Sequence, residues 1–310
     1  MSDARIASLL ASGTEIVVAL GLEDRLVGIS HECDWPPSIL DRPRLSRPRF
    51  DPSNLGSGQI DLAVRQAMQD FGSVYEIDGD TMAALHPSLV ITQAVCEVCA
   101  VPTAGVKQAV ADRGIDAGVL SLDAHTLEDI LMSIENVGDA AGEGPRARDM
   151  VAGYRQRIER VRAATASLPR KRVLAIEWLD PPFAPGHWLP EMVEIAGGTN
   201  LVGEIGERSR EVGWADLEGL DPDVLVVMPC GYGLGASRED ADHHADRLGA
   251  IAPRAIENGE AWVVDGSAYF NRSGPRTIEG IEILAKLLHP EALGSPSDQV
   301  AQRWPERDSA

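Results

Sequence analysis

Apolar residues along the chain gather into short runs, and the stretches between them repeat apolar positions at helical spacing. The runs lie in "RIASLL" (5–10), "RLVGIS" (25–30), "SLVIT" (88–92), "AGVLSL" (117–122), "RVLAIEW" (172–178), "DVLVVM" (223–228) and "AWVVD" (261–265). Each has strand length and little polar alternation, as expected of strands buried on both faces of a parallel sheet. Helices are predicted between them. "SGTEIVVALG" (12–21) opens on a serine cap, carries a glutamate in its first turn and closes on glycine, the order of signals a helix needs. Further helices are expected over Gln59–Asp70, near 80–85, over Thr103–Arg113, Pro190–Ala196, 240–249 and 275–288. Residues 36–58, rich in Pro and Arg, read as a loop.

The middle of the chain differs. Leu127, Ile130, Leu131, Ile134 and Val137 recur at helical spacing, as do Met150, Val151, Tyr154, Ile158 and Val161, with "GEGP" (142–145) between the two series. One kinked helix or two consecutive ones fit equally. The predicted organisation is α/β: an N-terminal lobe over residues 1–124, a helical linker over 125–168, a C-terminal lobe over 169–290 and a tail over 291–310. Each lobe is a Rossmann-like unit with a parallel sheet. An internal repeat supports the division. "ALGLEDRLVG" (19–28) is similar to "IAGGTNLVG" (195–203), and "LHPSLVITQAVC" (85–96) to "LDPDVLVVMPC" (220–230).

Charge narrows the class of partner. A formal charge of −20 over 310 residues disfavours nucleic acid and anionic membrane surfaces. No apolar run approaches the ~18 residues of a membrane-crossing helix. The opening residues show no basic stretch followed by a long apolar core, so a cytoplasmic location is expected, with the four cysteines as thiols or metal ligands.

Those cysteines all follow predicted strands, where parallel α/β sheets bind ligands. Cys33 follows "LVGIS", Cys96 and Cys99 follow "SLVIT", and Cys230 follows "DVLVVM"; His31 and His187 lie in strand-end loops as well. Thiolate and imidazole suit zinc or iron, so His31, Cys33, Cys96, Cys99, His187 and Cys230 form a candidate metal set. Glu177 or Glu191 would then be available as acid or base. The C-x-x-C at 96–99 also fits a redox pair or two buried thiols. Aromatic residues make up only 5% of the chain, yet Trp35, Tyr75, Trp178, Phe183, Trp188, Tyr232, Tyr269 and Phe270 cluster in strand-end loops. They form a platform for a large flat ligand, with Trp178 the first choice for a core position instead. "GYGLG" (231–235) reads as a flexible loop, and His125 as a loop or helix-end residue.

"RIASLLASGTEIVVALGLEDRLVGISHECDWPP", "LHPSLVIT", "PPFAPGHWLPEMVEIAGGTNLV" and "AYFNRSGPR" resemble the vitamin B12-binding proteins of ABC uptake systems. These share a helical-backbone substrate-binding fold that also serves siderophores, haem and metals. The resemblance runs over residues 5–288. It implies a non-catalytic protein that binds a corrinoid such as cobalamin in a cleft between the lobes. Trp35 and Pro36 match a family loop of Tyr-Pro-Pro, and Tyr75 falls near an aromatic that contacts the corrin. Phe183, His187 and Trp188 match the first binding loop of the C-terminal lobe, and Tyr269, Phe270 and Arg272 the last. A metal-binding protein or metalloenzyme holding zinc or iron through the Cys/His set is the alternative. The segment "CAVPTAGVKQ" lacks the glutamate with which the family docks on its permease, so the resemblance does not carry permease docking over.

Overall fold

A computed structural model describes residues 4–94 and 101–306. The chain divides into two compact units. The first comprises Met1–Leu55, Leu62–Ala124 and Glu128–Gly153; the second comprises Gly56–Asp61, His125–Leu127 and Tyr154–Ala310.

The elements of the first half run β1 (Ile6–Ser8), α1 (Ala11–Ala19), β2 (Leu26–Ile29), β3 (Ser46–Pro48), α2 (Ser57–Phe71), β4 (Tyr75–Ile77), α3 (Gly79–Ala84), β5 (Leu89–Thr92), α4 (Thr103–Asp112) and β6 (Gly118–Ser121). The predicted strands form one parallel sheet in the order β2-β1-β5-β6. Ala7, Leu9, Val90, Val106 and Val110 pack against Leu45 and Met82 in its core. The expected loop over 36–58 contains β3, which pairs antiparallel with β4. "SRP" holds a single pair of polar residues and a proline, so no apolar alternation marks it as a strand.

The linker resolves into two helices, α5 (Leu127–Ala140) and α6 (Gly144–Thr165), and α6 carries the chain into the second unit at Tyr154. Gly142, at φ 78°, takes up the left-handed turn that ends α5.

The second half continues with β7 (Lys171–Ile176), β8 (Trp178–Leu179), β9 (Pro182–Ala184), α7 (Leu189–Ile195), β10 (Gly198–Asn200), β11 (Arg210–Glu211), α8 (Trp214–Leu217), β12 (Val224–Val227), α9 (Leu234–His243), α10 (Ala245–Ile251), α11 (Pro253–Glu257), β13 (Ala261–Val264), α12 (Gly266–Tyr269), α13 (Thr277–Leu288), α14 (Pro290–Leu293) and β14 (Ala301–Arg303). Its main sheet has the order β10-β7-β12-β13-β14. The first four strands are parallel and in the same sequential order as the sheet of the first unit, the second strand lying outside the first, then the third and the fourth. The repeat read from sequence is therefore a repeat of topology. It extends to single residues: His86 and Asp221, each before a proline and each separated by two residues from the next strand, both adopt φ 45°. Aspartate and histidine accept this left-handed region more readily than most residues.

Two expectations about this unit change. The proposed tail carries β14, which pairs antiparallel with β13, and Trp304 beside it is buried in the core with Leu174, Leu225 and Leu248. Its three residues, Ala-Gln-Arg, hold too little apolar pattern to show as a strand. The single helix expected over 240–249 is two, α9 and α10, meeting at His244. Among the described residues, no helix is long and apolar enough to cross a membrane.

Candidate functional site

Candidate residues sit at the carboxyl ends of the strands in each unit. In the first unit, β2 leads into a turn closed by the Cys33 N–H donating to Ser30 O at 3.2 Å. Arg44 clamps that turn, donating through Nη1 to Ser30 O (2.8 Å) and Cys33 O (2.6 Å). The Cys33 thiol is buried and in no disulfide, with its sulfur 3.1 Å from Thr14 Oγ1 on α1. His31 Nδ1 lies 2.8 Å from Ser46 Oγ on β3, and its ring is tilted against Tyr75 with centroids 4.8 Å apart. Its Nε2 comes within 3.1 Å of Glu32 Oε1 but is misaligned for a hydrogen bond. Tyr75 also packs on the apolar core. Trp35 is 41% exposed.

The second unit builds a denser arrangement. After β7 the chain does not enter a helix directly but forms β8 and β9, and β11 adds to them as an antiparallel three-stranded sheet. Residues 185–188 come next as a loop held by 203–209. The His187 N–H donates to Glu207 O at 2.6 Å, and the Gly206 N–H to His187 O at 2.9 Å. Gly186 lies so close to this segment that a Cβ would run into backbone atoms of Glu207, Arg208 and Ser209. His187 itself is held at φ 52°, a conformation that costs a non-glycine residue of the order of 1–3 kcal/mol and persists only where neighbours enforce it.

The electrostatics of this loop are set by its burial. The His187 imidazole is pushed down to about 4, first by burial and then by His125 and the Arg208 cation, so it is neutral at pH 7. Its ring stacks on Trp188 at 5.7 Å and meets His125 edge-on at 5.5 Å. Nδ1 is buried with no hydrogen-bond partner. Glu177, immediately after β7, is raised to about 7 by burial, opposed by hydrogen bonds from Ser209 and Gly186. Trp178 and Tyr232 pack at 5.1 Å, and burial pushes the Tyr232 hydroxyl up to about 12.

Several predicted site residues take other places. Phe270 is fully buried and Trp188 is 8% exposed; the Trp188 indole N–H donates to Phe270 O at 2.8 Å. Both pack within the second unit. Trp178, counted in the platform with a core position as the alternative, is half-buried, with its indole N–H on Asp180 O. Tyr269 and Arg272 are half-buried, Tyr269 lying under the Arg276 guanidinium at 5.8 Å. Glu191, offered as an acid or base, accepts from the Leu127 N–H at 3.2 Å. Cys230 is half-buried and in no disulfide, and its N–H donates to Glu177 O at 3.0 Å. "GYGLG" is a compact turn into α9, with Tyr232 N–H on Pro229 O and Ser267 N–H on Tyr232 O. Cys96 and Cys99 lie outside the described residues. Among the described residues, no three His, Cys, Asp or Glu side chains converge on a point that could hold a metal ion. Sequence reasoning did not select His125 or Ser209, since neither carries a motif or an apolar period; only their approach to His187 and Glu177 marks them.

Two α/β units have one sheet topology, α6 passes from the first into the second, and a neutral histidine beside Trp188 and His125 lies at the strand ends of the second. The chain matches the "Periplasmic binding protein" family over residues 6–248 and belongs to that family. It is 23% identical over 300 residues to the uncharacterized ABC transporter substrate-binding lipoprotein YvrC of Bacillus subtilis, covering 93% of this chain and 81% of the relative. It is 22% identical over 294 residues to a vitamin B12-binding protein of Vibrio cholerae, covering 92% and 88%. A periplasmic heme binding protein from Pseudomonas aeruginosa superposes with a TM-score of 0.73 at 23% identity, over 98% of this chain and 99% of the other. The fold is that of these two-lobed binding proteins. The cytoplasmic expectation is overturned by the same relatives, which are periplasmic proteins or a lipoprotein. Acidic composition and the lack of an apolar span suit either compartment, so neither could decide it.

Proposed function

We propose that the chain is the solute-binding component of an ABC uptake system working outside the cytoplasm, and that its cargo is a metallo-tetrapyrrole, a corrinoid in the first instance. The observation that carries this reading is His187. A neutral imidazole with an unshared electron pair is the form that ligates cobalt or iron, and burial keeps His187 in that form at pH 7. Trp178 and Phe183 are half-buried on the same strand-end layer, and such faces stack on planar macrocycles. The names of the Vibrio and Pseudomonas proteins, one for vitamin B12 and one for heme, support the class of cargo. Trp35, Pro36 and Tyr75, and Tyr269 and Arg272, are proposed as further contacts to it.

Haem is the second reading, favoured by the superposition on the Pseudomonas protein. A bare zinc or iron cargo lacks support among the described residues, where no ligand group of three is assembled. The test is a visible-absorption titration of the purified chain with aquocobalamin and, separately, with haemin. A spectral change saturating at micromolar cobalamin, reduced at least tenfold in His187→Ala, is expected. Saturation by haemin alone would make haem the cargo, and silence with both would rule out the tetrapyrrole reading.

A further inference from the structure

Glu177 joins several loops of the second unit beside His187. Its N–H donates to Phe183 O at 3.0 Å and its carbonyl accepts from the Cys230 N–H at 3.0 Å. Its carboxyl Oε2 accepts from Ser209 Oγ at 2.6 Å, and that hydroxyl in turn accepts from the Gly186 N–H at 3.1 Å. One side chain therefore joins the end of β7 to the segment 203–209 and, through Ser209, to the residue preceding His187. No charged side chain is among the groups that set this carboxyl; a hydroxyl and a backbone N–H face it. A part-buried acid whose carboxyl meets a hydroxyl and a backbone N–H rather than a cation gives up solvation without a charge partner. An apolar residue at the end of β7 would fill the same space without that cost but would leave Ser209 and Gly186 without their link.

We propose that Glu177 and Ser209 are the positioning pair that sets the ring of His187 for the cargo. The inference rests on the reading of His187 as the metal-facing residue. Ser209 fixes Gly186 from one side while Glu207 and Gly206 hold the His187 backbone from the other, so the left-handed φ of His187 is enforced across both of its peptide neighbours. Releasing Ser209 frees one side of that clamp, and the ring loses its place between Trp188 and His125.

Histidine ring NMR of the cargo-free chain tests this, with His187 assigned from His187→Ala. In wild type, the ring currents of Trp188 and His125 displace the His187 signals from ordinary histidine positions. Glu177→Gln keeps an oxygen that accepts from Ser209 and is expected to reproduce the wild-type signals. Ser209→Ala and Glu177→Ala are expected to move them to ordinary positions and to weaken cobalamin about tenfold, the effect of losing one part-buried hydrogen bond. Glu177→Gln and Ser209→Ala leave the packing nearly unchanged, so the comparison stands even if Glu177→Ala fails to fold. His187 signals unchanged in Ser209→Ala would overturn the pair. Displaced signals in wild type that collapse in Ser209→Ala, without any cobalamin or haemin binding, would uphold the pair and overturn the cargo.

Discussion

The two units repeat one strand order, each in its own sheet, but differ in the connection that leaves the first strand. In the first, β1 ends at Ser8 and α1 begins at Ala11; in the second, β7 ends at Ile176 and α7 begins only at Leu189. The chain between holds β8, β9 and the loop of His187. The first unit commits its strand-end polar groups to closing turns, as Cys33 does with Thr14 and Arg44 with Ser30. The second links Glu177 to Ser209 beside a loop that holds His187 at φ 52°. A repeated scaffold thus stays the same where it packs and diverges where the strands end, which is where α/β sheets bind ligands.

The largest effect is expected where the scaffold itself is cut. Phe270→Ala, at a position with no exposure, should cost about 3–5 kcal/mol in urea unfolding. A loss below about 1 kcal/mol would return Phe270 to the contact residues expected from sequence. Glycines separate loop from scaffold next. Gly186→Ala should abolish most cargo binding, because its Cβ meets the backbone of 207–209. Gly105→Ala on α4, where a Cβ meets nothing, should leave binding intact and raise stability by about 0.5–1 kcal/mol.

The pH dependence should belong to the second unit. Glu177 titrates near 4.5 unfolded and about 7 folded, so the folded state holds the extra proton and stability falls as pH rises from 4.5 through 7. His187, with a folded value of about 4 against 6.5, loses stability as pH falls from 6.5 through 4. Trp178, Trp188, Trp214, Trp262 and Trp304 all lie in the second unit and only Trp35 in the first, so tryptophan fluorescence during unfolding reports on this unit. The high-pH loss should vanish in Glu177→Gln; its persistence there would assign it elsewhere. The smallest effect is Trp35→Ala, which at 41% exposure should change stability by no more than about 0.5 kcal/mol.

Much of this fold is legible in the sequence because parallel strands buried on both faces leave uninterrupted apolar runs. "SLVIT" and "DVLVVM" show themselves, and the repeat between them aligns Leu89 with Val224. The short antiparallel pieces do not, since β8, β11 and β14 have two or three residues each, too few to show an alternation, and β11 and β14 pair with strands remote in sequence. The same limit applies to the site. His187 and Phe183 stand out beside the family resemblance, whereas Ser209 and His125 matter only through contacts across 22 or more intervening positions. The cysteines drew attention by residue type, yet Cys33 lies buried against a threonine, which is where most cysteines belong.

Hydrogen exchange read by mass spectrometry, with and without saturating cobalamin, puts the contrast between the two units to its most direct test. Cargo should slow exchange most in peptides covering 178–188, 207–211 and 230–232, with little change over β1, β5 and their helices. Protection confined to other segments, with 178–188 unchanged, would contradict the assignment of ligand binding to the loop of His187.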